Sequence, residues 1–99
     1  MKLSDFEMMT TDFPAGVQAV LDFGKYHLSI VSSDISYGGK QGLYEIGVFA
    51  ASDGVARDMV ELPGITNEGD TVKGWLSEKD VDTIIKKMYT ITGKEPEQV

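Results

Sequence analysis

Two runs of alternating apolar and polar residues, Tyr26–Ser33 (YHLSIVSS) and Leu43–Phe49 (LYEIGVF), constrain this chain more than any other feature, because only extended strands repeat every second residue. The connection between them, Ser33 to Gly42, holds Gly38, Gly39 and Gly42 with two serines and an aspartate. It is too long for a tight turn and too rich in turn formers for a helix, so it predicts an irregular, exposed loop. In the second run Tyr44, Ile46, Val48 and Ala50 form the apolar face, Leu43 and Phe49 are shared at the ends, and the Glu45 face is expected to be wet.

The same period extends in both directions. Val17, Ala19, Leu21 and Phe23 alternate with Gln18 and Asp22, Val20 being the exception, and Gly24-Lys25 supplies a short turn into Tyr26. Ser52-Asp53-Gly54 marks another turn, after which Val55–Leu62 reads as a weaker fourth strand. Pro63-Gly64 ends it, and Thr66-Asn67-Glu68-Gly69-Asp70 is a polar loop.

One helix follows. Ser77 is placed as its N-cap with Asp80 three residues on, Glu78 and Asp80 complement the positive end of its dipole, and Leu76 is positioned to staple onto Val81. Val81, Ile84, Ile85, Met88 and Ile91 then draw one apolar stripe, and Gly93 terminates it. Trp75 is expected to wedge between helix and sheet.

At 99 residues the chain is one domain, since a core of this size leaves nothing for a second. The expected fold is α+β: a three- to four-stranded antiparallel meander packed by one C-terminal helix. Residues 1–16 are read as an N-terminal arm with a short helical turn begun by Ser4 and Glu7, in which Phe6, Met8 and Met9 clamp the core edge. The tail, residues 94–99, is expected to fray.

Composition removes several kinds of chemistry. Sixteen acidic against nine basic residues give a net charge of −7, which repels nucleic acid and anionic membranes. The N-terminal MKLSDFEMM lacks the apolar core of a leader, and no apolar run approaches the roughly 18 residues that span a bilayer, so a cytoplasmic setting is expected. Without cysteine there is no thiolate nucleophile or cysteine metal site, and His27 is the only histidine, on a strand where it fits an ordinary outward-facing residue.

The Tyr37-Gly38-Gly39-Lys40 loop invites comparison with a phosphate cradle, but no Ser or Thr follows Lys40 and a strand rather than a helix comes next. Asn67-Glu68-Gly69-Asp70 lacks the order of a calcium loop. No catalytic residue, cofactor or metal site is expected.

What remains is surface recognition. Tyr37, with Lys40 and Tyr44 beside it, offers the amphipathic aromatic that protein interfaces favour. The competing reading is a long turn with Tyr37 folded back on the sheet, and both stand at this point. Glu68, Asp70, Glu78, Asp80 and Asp82 cluster in sequence around the start of the helix and form a candidate acidic contact patch.

Gly24-Lys25-Tyr26, Leu28-Ser29-Ile30-Val31, Ser36-Tyr37-Gly38-Gly39, Gly42-Leu43-Tyr44-Glu45 and Gly74-Trp75-Leu76-Ser77-Glu78-Lys79-Asp80-Val81 together resemble a family of small uncharacterised proteins of tailed bacteriophages. The resemblance spans roughly residues 17–91 and departs at Phe23, where the family often has Asn, and over 51–71, which is longer here. It implies a phage origin and the host cytoplasm, and supplies no catalytic residue. The expected function is therefore a non-enzymatic phage accessory protein that binds and modulates a host or phage protein, with inhibition through acidic mimicry of nucleic acid as one form. The alternative is a structural or assembly protein that forms homo-oligomers through its sheet edges.

Overall fold

The computed structural model describes residues 1–99 as a single antiparallel sheet with one α-helix across one face. The strands are β1 (Met9–Asp12), β2 (Ala15–Asp22), β3 (Tyr26–Ser33), β4 (Tyr44–Ser52), β5 (Val55–Met59), β6 (Val72–Leu76) and β7 (Glu97–Gln98), and the helix α1 is Glu78–Thr92. They pair in the order β1-β2-β3-β4-β5, with β6 also pairing β4 and β7 also pairing β2. The α+β meander with a C-terminal helix is thus the fold. It is wider than three or four strands because stretches read as arm, loop and tail also pair.

Register follows from which side chains must leave water. Ala19 faces Ile30, Leu21 faces Leu28, Leu28 faces Val48 and Ile30 faces Ile46, so one pleat surface carries the apolar set of all three central strands. Leu21, Leu28, Ile30, Ile46 and Val48 are fully buried, each contributing about 1.5–3 kcal/mol. A one-residue slip would turn every one of them outward. The β4–β5 hairpin closes through Asp53 (φ 53°) and Gly54 (φ 76°), the pair of positive φ values that matches the twist of a two-residue loop.

Helix α1 covers the core with Val81, Ile84, Ile85 and Met88. Its capping box is closed: the Ser77 Oγ accepts the Asp80 amide at 3.1 Å and the Asp80 carboxylate accepts the Ser77 amide at 3.0 Å. Gly93, left-handed at φ 70°, ends it. The stripe stops at Met88, and Ile91 lies on the exposed side. No helix is long and apolar enough to cross a membrane.

Both ends of the chain are tied into this structure. The N-terminal turn is a 3-10 helix, Leu3–Asp5, capped by Asp5 accepting the Lys2 amide and not by Ser4 and Glu7; Leu3 drops into the core and its amide donates to Asp82 at 2.8 Å. Phe6 and Met8 pack against the core as expected, whereas Met9 opens strand β1 and is exposed. The tail does not fray. Glu97 and Gln98 pair with Asp22 and Leu21, the Val99 amide donates to the Val20 carbonyl at 2.9 Å, and Gln98 exchanges hydrogen bonds with the Glu7 backbone.

Candidate functional site

Strand β6 carries one residue more than the stretch of β4 that it faces. Lys73 pairs with Ile46 and Leu76 with Tyr44, so Gly74 and Trp75 together oppose Glu45 alone. This is a β-bulge, a device that re-aims a side chain and takes up the extra residue with unusual backbone angles. Here the left-handed residue is Trp75, at φ 60°, where glycine would be the unstrained choice. A bulky side chain in that region costs on the order of 1–3 kcal/mol. The consequence is directional: Leu76 turns into the core, and the indole, expected to wedge between helix and sheet, is turned out to solvent.

Position 74 needs its glycine for a different reason. A Cβ on Gly74 would lie 2.3 Å from the Tyr37 Cβ, so the Tyr37 side chain packs directly on that backbone. The arrangement is reciprocal. A Cβ on Gly38 would lie 3.1 Å from Trp75 Cε3, and the Trp75 amide donates to the Tyr37 carbonyl at 3.2 Å. The loop that carries Tyr37 is ordered from within: Ser36 Oγ accepts the Ser33 amide at 2.8 Å, and Gly39–Gln41 form a 3-10 turn capped by left-handed Gly38 and Gly42. Tyr37 thus folds back on β6, as the long-turn reading expects, while 58% of it stays exposed.

The register brings two further apolar side chains to the same end of the sheet. Gly16 pairs with Ser33 and the Asp34 amide donates to the Ala15 carbonyl, which sets the β1–β2 turn that carries Phe13 at the same end as the loop that carries Ile35. Phe13 is 98% exposed, Ile35 78%, Trp75 59% and Tyr37 58%, so four large apolar side chains stand in water at this end of the sheet. Between Tyr37 and Trp75 opens a cleft of about 190 Å³ edged by Asp34, Ser36, Lys40 and Gln41.

No family model, curated protein or solved structure matches this chain. The resemblance to small phage proteins therefore stands on the quoted motifs alone, and the site is characterised by its own geometry.

The candidate contacts named from the sequence separate into distinct settings. Tyr37 and Lys40 share the cleft with Trp75. Tyr44 is half-buried against the core, opposite Leu76, and takes no part in the cleft. Glu68 lies with Glu61 on a separate hollow beside Pro63. Glu78 and Asp80 are exposed in the first turn of α1, where the hydrogen bonds from the Ser77 backbone and side chain hold the Asp80 carboxyl below the usual carboxylate range. Asp82 is committed to the Leu3 amide. The carboxylates thus have different local partners.

Asp70 belongs with a residue the sequence reading set aside. Glu45, expected to be wet, is half-buried; desolvation pushes its carboxyl up, a hydrogen bond from the Tyr37 backbone opposes this, and the Asp70 charge adds to the rise. His27 does sit on the face away from the helix, but it is buried, its Nε2 3.5 Å from the Asp22 carboxylate and without a hydrogen-bond partner. No group of three or more His, Asp or Glu side chains converges as metal ligands would.

Trp75, Ile35 and Phe13 are the site residues that sequence reasoning missed. One signal was present: Trp75-Leu76 places two large apolar residues in succession at the end of an alternating run, so one of them has to face outward.

Proposed function

We propose that this chain is a small acidic accessory protein of a tailed bacteriophage that works in the host cytoplasm by binding, and so modulating, a host or phage protein, with the Trp75–Tyr37 end as its contact surface. The supporting observation is Trp75 itself. A left-handed tryptophan that leaves most of its ring in water sacrifices both backbone comfort and core burial, a combination that a partner's surface would offset. Tryptophan and tyrosine are favoured at interfaces because they bury much area while freezing few rotors. Ile35 and Phe13 are exposed at the same end of the sheet, and Asp34 and Lys40 supply a polar margin to the cleft.

The net charge of −7 favours a basic partner through faster encounter, so binding should weaken with salt. With the carboxylates divided among separate settings, they act in this reading as a surrounding field and not as a copy of a phosphate backbone. Affinity capture from host lysate tests the assignment. A protein retained by the wild type, and lost with both Trp75→Ala and Tyr37→Ala, supports it; equal retention by the variants contradicts it.

One observation favours the second reading, self-assembly through a sheet edge: every residue of β5 is exposed, including Val55 and Met59. A single monomeric species in sedimentation at high concentration would exclude it.

A further inference from the structure

The largest cavity in the molecule shares no residue with the Trp75–Tyr37 cleft. It is a groove of about 550 Å³ along α1, over which both ends of the chain are drawn. Its size falls among small-molecule sites. Its walls are pinned, since Leu3 is buried in the core on one side, Pro96 is buried on the other, and β7 fastens the C-terminal segment to β2.

The charge in the groove opposes that of the protein. Of nine basic residues, Lys2, Lys79 and Lys86 line it, against only Asp82 and Glu95 of sixteen acidic ones. Asp82 has one carboxylate oxygen taken by the Leu3 amide. No lysine lies within ion-pair distance of a carboxylate, the one such contact in the chain being His27 with Asp22, so the three ammonium groups make no direct ion pair, although Asp80 lies near enough to Lys79 to feel its charge. Between them Met1 and Tyr89 provide accessible apolar surface above the buried Ile85 and Pro96, and Lys79, Lys86 and Tyr89 recur at the spacing of one helix face.

We infer that this groove binds a small organic anion with an apolar body, an aliphatic or aromatic carboxylate or sulfonate, whose head meets Lys2, Lys79 and Lys86 and whose body lies on Met1 and Tyr89. The inference is independent of the protein-binding role proposed for the other end. Lys87, one residue along, lines a different hollow, beside Trp75, and so provides a control with the same charge change.

The test is a fluorescence titration of the full chain with 8-anilinonaphthalene-1-sulfonate, followed by displacement with decanoate or with decyltrimethylammonium. The expected result is saturable binding of one dye per chain, displaced by the carboxylate and not by the cation. Lys79→Glu/Lys86→Glu should weaken binding roughly tenfold or more, and Lys87→Glu should leave it within about twofold. If the double reversal perturbs folding, Lys86→Gln should give a smaller loss in the same direction. Absence of saturable binding, unchanged affinity in the lysine variants, displacement by the cation, or an equal loss in Lys87→Glu would each overturn the assignment.

Discussion

The Trp75 amide donates to the Tyr37 carbonyl at 3.2 Å, and each of the two rings packs on the glycine beside the other residue. Tyr37 rests on Gly74 and Trp75 on Gly38, so loop and strand position one another across a pair of bare backbones. This crossing, together with the bulge opposite Glu45, turns an alternating strand end into a fixed, outward aromatic pair.

Gly74→Ala should break that crossing. The added methyl would sit 2.3 Å from the Tyr37 Cβ, and displacing the loop is expected to cost about 1–3 kcal/mol. Gly42→Ala separates the effect of sterics from that of backbone angle, because Gly42 has φ 75° but no atom within 4 Å of its would-be Cβ. It should cost about 1 kcal/mol from the left-handed geometry alone. Urea unfolding of the two variants checks the order.

Trp75→Gly should leave stability within about 1 kcal/mol of the wild type, since relief of the left-handed strain offsets the entropy of glycine and the modest packing lost. Phe23→Ala, which empties a fully buried site, should cost about 3–5 kcal/mol. Unfolding followed by far-ultraviolet circular dichroism measures both, and a Trp75→Gly loss as large as that of Phe23→Ala would mean that the indole is a core element.

Glu45 and Asp80 should move stability in opposite senses with pH. The folded Glu45 carboxyl titrates above its unfolded counterpart, so ionising it costs stability as pH rises from the ordinary carboxylate range to its folded value. Glu45→Gln should therefore be more stable than the wild type at neutral pH, the difference closing in acid. The folded Asp80 carboxyl titrates below its unfolded counterpart, so its contribution is present above the ordinary range and lost as pH falls through the folded value. Asp80→Ala should be less stable at neutral pH and converge on the wild type in acid. Denaturation midpoints across this range read both differences.

The strands that alternate cleanly and the helix with both caps in place were legible because local pattern and tertiary packing ask for the same residues there. Tyr26–Ser33 forms a strand over the expected residues, and Ser77, Asp80 and Gly93 bound the helix as their chemistry requires. Elements that exist only through pairing were not legible. Met9–Asp12 has no alternation, Val72–Leu76 is broken by its bulge, and Glu97–Gln98 is held by β2 and by Gln98 reaching Glu7. The site divides in the same way. Tyr37 and Lys40 could be named from a glycine loop, whereas Trp75 needed a register shift, and its partnership with Tyr37 needed Gly74 to be read as a contact surface.

The central claim is that the Trp75–Tyr37 end meets another protein, and site-specific photo-crosslinking in bacterial cells that express the chain tests it most directly. A photoreactive phenylalanine analogue would be placed singly at Tyr37, at Trp75 and, on the far edge, at Val55. The account predicts one adduct with a different protein, shared by positions 37 and 75 and absent from position 55. An adduct from position 55 alone, or none from positions 37 and 75, would contradict it.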